Sequence, residues 1–148
     1  MLAQAFFEGI IAALGALILE LSPPIFGLTI SETSLIFLLF TATIEEAIKF
    51  IFIYNHYAKL KVKEKILSGA FLIGLGFASI DIFLKQLSYE ENLLFPIIGV
   101  FLVHILTTSL LGLFFRKNTT KQISLGIFFL GLNILVHFLY NLLILRLN

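Results

Sequence analysis

Five long apolar segments constrain the fold of this chain more than any other feature of its sequence. They cover residues 2–21, 35–57, 66–84, 93–115 and 123–145. Each is long enough to cross the roughly 30 Å hydrocarbon core of a bilayer as a helix rising about 1.5 Å per residue. The pattern therefore predicts an all-α, polytopic transmembrane bundle of about five helices, forming one domain over residues 1–148.

The composition supports a membrane environment and excludes several classes of function. Of the 148 residues, 59% are hydrophobic and 13% are charged, whereas a soluble domain of this size needs more polar surface. The chain has no cysteine, so disulfides and thiolate zinc sites are excluded. It has no basic patch interleaved with aromatic residues, so we expect a lipid bilayer and not a nucleic acid as its surroundings.

Basic residues in the connections between segments predict the orientation. Two connections are basic and the others hold a single lysine, Lys85, so the positive-inside rule places the basic pair in the cytoplasm. The N-terminus is then cytoplasmic and the C-terminus, after Arg146, lies outside. We expect an integral protein of a prokaryotic plasma membrane, whose first segment is a retained helix and not a signal peptide. The basic connections contain Lys59, Lys61, Lys63 and Lys65 in one case and Arg116, Lys117 and Lys121 in the other.

Small residues recur on two of the segments and predict close helix packing. The first segment has Gly9 and Gly15 among several alanines, and the third has Gly69, Gly74 and Gly76. Small side chains let membrane helices approach closely, so we interpret these positions as packing surfaces without a chemical role.

Ionisable side chains inside the apolar segments are the main indication of function. A charge at the bilayer centre costs at least about 2.5–3.5 kcal/mol, so such residues usually pair or serve a function. Counted from the predicted outer ends, Glu45, His104 and His137 lie about 12–16 Å deep, while Asp81 and Asn141 lie about 6 Å deep. Four helices therefore bring polar groups to the outer half of the membrane. The full set is Glu45, Glu46, Lys49, Asp81, His104, His137 and Asn141.

The spacing of these residues predicts hydrolytic chemistry. Lys49 is four residues after Glu45 and three after Glu46, so it can neutralise either carboxylate and leave the other available. A membrane glutamate can act as a general base on water, and imidazole or asparagine groups can position that water or stabilise an oxyanion. Two histidines with a carboxylate equally suit a zinc ion with an open position; the candidate ligands are His104, His137 and Asp81.

The order of these motifs resembles the PrsW family of membrane proteases, within the larger group of CAAX-processing and bacteriocin-processing enzymes. The resemblance covers roughly residues 41–141, and one departure is that Asp81 stands where the family usually has glutamate. The chain is also shorter than typical members, so the resemblance implies that a substrate-gating region is either missing or supplied by an oligomer of this chain. The matching motifs are Glu45-Glu46-x-x-Lys49, Gly74-x-Gly76-Phe77-x-x-x-Asp81, His104-x-x-x-Thr108-x-x-x-Gly112 and His137-x-x-x-Asn141.

This resemblance implies a peptidase that cuts membrane-associated protein substrates, such as anti-sigma factors. By the same resemblance Glu45 is the residue that activates water, with Glu46 as its neighbour in the catalytic pair. The supporting residues are Lys49, Asp81 and Thr108. His104 and His137 position the water or a metal, and Asn141 is the oxyanion partner.

Two other functions explain the buried polar residues. The carboxylates and histidines can form the relay of a proton- or ion-coupled transporter. They can also tie helices together in a non-catalytic scaffold, because the larger group resembles the non-catalytic scaffold subunit of gamma-secretase, and a shared fold does not establish activity.

Overall fold

Six helices make up the described part of the chain, which in this computed structural model comprises residues 2–25, 27, 31, 34–59, 65–88, 94–117 and 123–147. The five long helices agree with the five apolar segments, and these residues contain no strand, so the all-α prediction is confirmed. The helices are α1 (Leu2–Glu20), α2 (Ser22–Ile25), α3 (Leu35–Lys59), α4 (Ile66–Ser88), α5 (Leu94–Lys117) and α6 (Ile123–Leu147).

Four of the long helices, α1, α4, α5 and α6, are long and apolar enough to cross a membrane. Their outer faces carry large exposed apolar side chains such as Phe7, Ile98 and Phe128, as expected for lipid-facing surfaces of an integral membrane protein. The remaining long helix, α3, is continuous over 25 residues, but Glu45, Glu46 and Lys49 interrupt its apolar sequence. That α3 is a fifth membrane span remains a prediction, as does the orientation of the termini.

Most ends of the long helices lie within two residues of the sequence-based expectation, and larger differences occur at two places. The predicted break at Ser22-Pro23-Pro24 contains the short helix α2, because proline is tolerated in a first turn, where the backbone N–H has no helical partner. Helix α4 continues to Ser88, four residues beyond the predicted end, although its apolar span still ends at Leu84. Most residues of the predicted basic connections lie outside the described ranges.

Helix α3 occupies the position that assembles the bundle, because it packs against each of the other four long helices. Helix α4 in turn lies between α1 and α5. Ala12, Ala13 and Ala16 of α1 form one apolar cluster with Phe77 of α4. The small side chains of α1 therefore bring α4 close to α3, which is the arrangement on which the polar cluster described below depends.

Glycines at the contact between α1 and α4 are required by close backbone approach. A Cβ at Gly9 would collide with the backbone of Ile73, reaching 2.9 Å from its carbonyl carbon, and a Cβ at Gly76 would collide with the carbonyl oxygen of Phe6. Gly15, on the same helix as Gly9, has no neighbouring atom within 4 Å of an added Cβ.

The substitution Gly9→Ala is expected to lower the free energy of unfolding by about 1–3 kcal/mol, because the added methyl group separates α1 from α4. Gly15→Ala is the matched control and should change stability by no more than about 1 kcal/mol, in the stabilising direction. Unfolding of both variants in mixed micelles, followed by circular dichroism, gives the comparison. Equal stability of the two variants would show that the contact does not form as described.

A polar contact joins α1 to the C-terminal end of α3. The Nδ1 atom of His56 lies 2.7 Å from Oε2 of Glu8, and Lys59 Nζ lies 3.8 Å from Oε1 of the same carboxylate. Gly69 of α4 leaves room for the buried imidazole, since an added Cβ there would lie 2.6 Å from Nε2. This pair ties α1 to α3 away from the predicted site residues.

Candidate functional site

A buried ion pair on α3 forms the base of the candidate site. The ammonium group of Lys49 donates to Oε1 of Glu46, one turn earlier on the helix, and both side chains are 0% exposed. Lys49 Nζ also lies 3.0 Å from Nδ1 of His104 and donates to Oγ1 of Thr107 at 3.1 Å. Three acceptors thus surround the three protons of the ammonium group, which makes its burial tolerable.

The imidazole of His104 connects α5 with α3 and α4. Its Nδ1 atom faces Lys49, and its Nε2 atom lies 2.9 Å from Oδ2 of Asp81. Gly74 of α4 allows this approach, because a Cβ there would collide with Oγ1 of Thr108 and lie 2.9 Å from the carbonyl oxygen of His104. The close approach of α4 and α5 at Gly74 thus brings the short side chain of Asp81 within reach of His104.

The imidazole of His137 is held by the same carboxylate that binds Lys49. Its Nδ1 atom lies 2.8 Å from Oε1 of Glu46. The ring of His137 stands perpendicular to the ring of His104, with 5.1 Å between centroids and 89° between planes. Helices α3, α5 and α6 therefore meet at one set of hydrogen-bonded side chains.

Glu45 differs from Glu46 in its surroundings. Its Oε2 atom lies 3.8 Å from Nε2 of His104 and 3.8 Å from Nε2 of His137, beyond hydrogen-bond length. The atom is buried and has no hydrogen-bond partner among the described residues. Lys49 and His137 both contact Oε1 of Glu46, whose Oε2 atom is likewise buried without a hydrogen-bond partner among the described residues. Glu45 is the carboxylate that faces both imidazoles, a choice that the spacing of these residues left open.

Two predicted site residues do not join this cluster. Thr108 donates to the carbonyl oxygen of His104 on its own helix, at 2.7 Å, and packs at Gly74. Asn141 is partly exposed on α6, and within the described part of the chain no hydrogen bond connects it to the other predicted residues. Glu45, Glu46, Lys49, Asp81, His104 and His137 are the predicted residues that the structure brings together.

Three further residues border the cluster, and sequence reasoning did not assign them a role. The hydroxyl of Thr107 accepts a hydrogen bond from Lys49, and Asn133 donates to the carbonyl oxygen of Thr107 at 2.8 Å. Glu20, at the end of α1, lies near enough to Glu45 for the two charges to repel each other. The spacing of Asn133 four residues before His137 was the available signal for that residue, because it places both on one helix face.

The triangle formed by Glu45, His104 and His137 has the size of a metal site. One ligand atom from each residue lies within 4.8 Å of the others. In tetrahedral zinc sites, bonds of about 2.0–2.2 Å place the ligand atoms about 3.3–3.5 Å apart, slightly closer than the 3.8 Å measured from Glu45 to each imidazole. A small contraction would fit zinc, with Glu45 as a ligand that the sequence analysis had not included.

The distances within the same triangle also match those that a bridging water molecule spans. Water forms hydrogen bonds of about 2.5–3.0 Å to oxygen acceptors, so it can lie between atoms that are 3.8 Å apart. The site therefore combines a buried carboxylate with two oriented imidazoles. Such a set can activate water or transfer protons.

No family model matches this sequence, no curated protein is significantly similar to it, and no solved structure matches its fold. The resemblance to PrsW proteases thus remains a hypothesis based on the four motifs. The geometry of the site is the basis for the function proposed next.

Proposed function

We propose that this chain is an intramembrane endopeptidase that hydrolyses peptide bonds of membrane-associated proteins, using a water molecule activated by Glu45. The observation that carries the proposal is the buried Oε2 atom of Glu45, which faces two imidazoles and is not satisfied by a hydrogen bond from the described residues. A base in this position can accept a proton from a water molecule held beside it.

The surrounding residues support this assignment through electrostatics. Glu46 and Lys49 form the buried pair that orients His137, and Asp81 orients His104. Because the ammonium group of Lys49 pairs directly with Glu46, Glu45 is left to face the two imidazoles. We further propose that the chain lies in a prokaryotic plasma membrane with its N-terminus in the cytoplasm. A homo-oligomer in that membrane can supply contacts to the substrate.

Cleavage of a membrane-segment library tests the function directly. The purified protein is reconstituted in liposomes with a library of single-span segments, and new N-termini are identified by terminal labelling and mass spectrometry. We expect new termini within or next to the spans with the wild-type protein and none with Glu45→Gln. An identical set of termini in both samples would assign the cleavage to a contaminant and overturn the proposal.

A continuous chain of contacts favours proton transport as the second candidate. Polar atoms connect Asp81 to His104, His104 to Lys49, and Lys49 through Glu46 to His137. Such chains are typical of proton relays. Proton flux into the same liposomes, lost in Glu45→Gln and without any new termini, would favour transport over hydrolysis. Absence of both activities would favour a scaffold.

A further inference from the structure

The two imidazoles of the site have chemically opposite partners on their Nδ1 atoms. For His104 the partner is the ammonium group of Lys49, at 3.0 Å, and for His137 it is the carboxylate of Glu46, at 2.8 Å. An ammonium group can only donate a hydrogen bond, and an ionised carboxylate can only accept one. The partner therefore determines which nitrogen of each ring carries the proton.

The hydrogen bonds of Lys49 fix the tautomer of His104. All three ammonium protons have acceptors, and the hydroxyl of Thr107 is able to accept because its own proton points to the carbonyl oxygen of His104. The Nδ1 atom of His104 must then offer its lone pair, so the ring proton resides on Nε2. Asp81 reinforces this, because its carboxylate accepts the Nε2 proton at 2.9 Å.

The carboxylate of Glu46 fixes the opposite tautomer of His137. Its Oε1 atom accepts from the Nδ1 proton, so in the neutral ring the lone pair resides on Nε2. That atom faces Glu45 at 3.8 Å. Beside Glu45 the site thus presents one N–H group, from His104, and one lone pair, from His137.

We propose that Lys49 and Glu46 are positioning residues that hold the site histidines in opposite tautomers, with His137 accepting from the attacking water and His104 donating to the substrate carbonyl oxygen. The tautomers follow from the hydrogen bonds alone, whereas these roles rest on the proposed peptidase function. The proton on Nε2 of His104 also occupies the lone pair that a metal ion would need, so the arrangement selects water over zinc as the occupant.

The reaction balances with water as the only co-reactant. Water donates one proton to Glu45 and one hydrogen bond to His137, and its oxygen forms a bond to the carbonyl carbon while the carbonyl π electrons move to oxygen. The N–H of His104 is shared between Asp81 and that oxyanion, which it stabilises without moving the ring. On collapse the C–N bond breaks, the amine leaves with the proton from Glu45, and the other product is a carboxylic acid.

Nitrogen NMR of the histidine rings tests the tautomers without requiring activity. The chain has three histidines, so protein labelled with ¹⁵N-histidine in nanodiscs gives three rings, assigned by single substitution. Long-range ¹H–¹⁵N correlations show which nitrogen is protonated. We expect His104 protonated at Nε2 and His137 at Nδ1, with His56 as the reference ring held at Nδ1 by Glu8. The same tautomer in both site rings would overturn the proposal.

Zinc binding provides the second, independent measurement. The double variant Lys49→Met/Asp81→Leu removes one positive and one negative charge, so the formal charge of the site does not change while both groups that hold the proton on His104 are lost. We expect zinc affinity to rise at least about tenfold relative to wild type, which corresponds to 1.4 kcal/mol or more. Unchanged affinity in the folded variant would overturn the selection of water over zinc.

If cleavage is absent while the NMR tautomers are as expected, the peptidase function fails and the positioning role stands.

Discussion

The Glu45→Gln variant is expected to lose about 10²–10⁴-fold in cleavage rate, the contribution typical of a positioned general base. The amide keeps the volume of the side chain but cannot accept a proton from water. The loss should appear in the rate at saturating substrate, because Glu45 acts on water and not on substrate binding. Rates of cleavage of one identified membrane segment, measured at several substrate densities in liposomes, separate the two effects.

Glu8→Gln is the matched control for this experiment. It makes the same chemical change on α1, where the carboxylate binds His56. Because His56 is 11 residues beyond Glu45 in the sequence, this contact lies about 16 Å away along α3. We expect Glu8→Gln to retain the wild-type rate, with at most a modest loss of stability. Equal losses in the two variants would indicate a general effect of removing a buried carboxylate.

Removal of Lys49 alone should have the largest effect on folding. Lys49→Met leaves the carboxylate of Glu46, which is 0% exposed, without its cation, and breaking a buried pair in this way costs about 3–5 kcal/mol. The double variant Glu46→Gln/Lys49→Met removes both charges together and should recover most of this loss, because neutral replacements of a buried pair are often tolerated. Denaturant or thermal unfolding in micelles measures all three proteins.

The stability of the double variant decides whether the ion pair with Glu46 is the main interaction of Lys49. If Glu46→Gln/Lys49→Met is as unstable as Lys49→Met alone, the two residues contribute independently and the ion pair is not the main interaction of Lys49. A fully recovered double variant would also be suitable for cleavage assays, where we expect reduced activity because each site histidine has lost the charged partner of its Nδ1 atom.

Much of the fold could be predicted from the sequence, because long apolar segments permit few alternatives. The residues with polar side chains inside those segments were also identifiable one by one. The sequence could not show whether Glu45 or Glu46 is the partner of Lys49, because both lie within about one helical turn of it. The structure selects Glu46 because the ammonium group must also reach His104 and Thr107 on α5.

The sequence also could not show which of two nearby threonines, or which of two asparagines, makes a contact. Thr107 and Thr108 are adjacent, and successive helical residues point about 100° apart, so only the crossing of α3 and α5 decides which hydroxyl meets Lys49. Asn133 and Asn141 each lie one turn from His137, and the sequence favoured Asn141. The hydrogen bond to the carbonyl oxygen of Thr107 belongs instead to Asn133, which is fully buried, whereas Asn141 is partly exposed.

A single-turnover cleavage in H₂¹⁸O tests most directly the claim that Glu45 activates water at this site. Enzyme in excess over one reconstituted substrate is allowed one turnover, and mass spectrometry then measures ¹⁸O in the new carboxyl terminus and in the Glu45 side chain. We predict one ¹⁸O atom in the product and none in Glu45, with no product from Glu45→Gln. Incorporation of ¹⁸O into Glu45, or an undiminished yield from Glu45→Gln, would contradict this account.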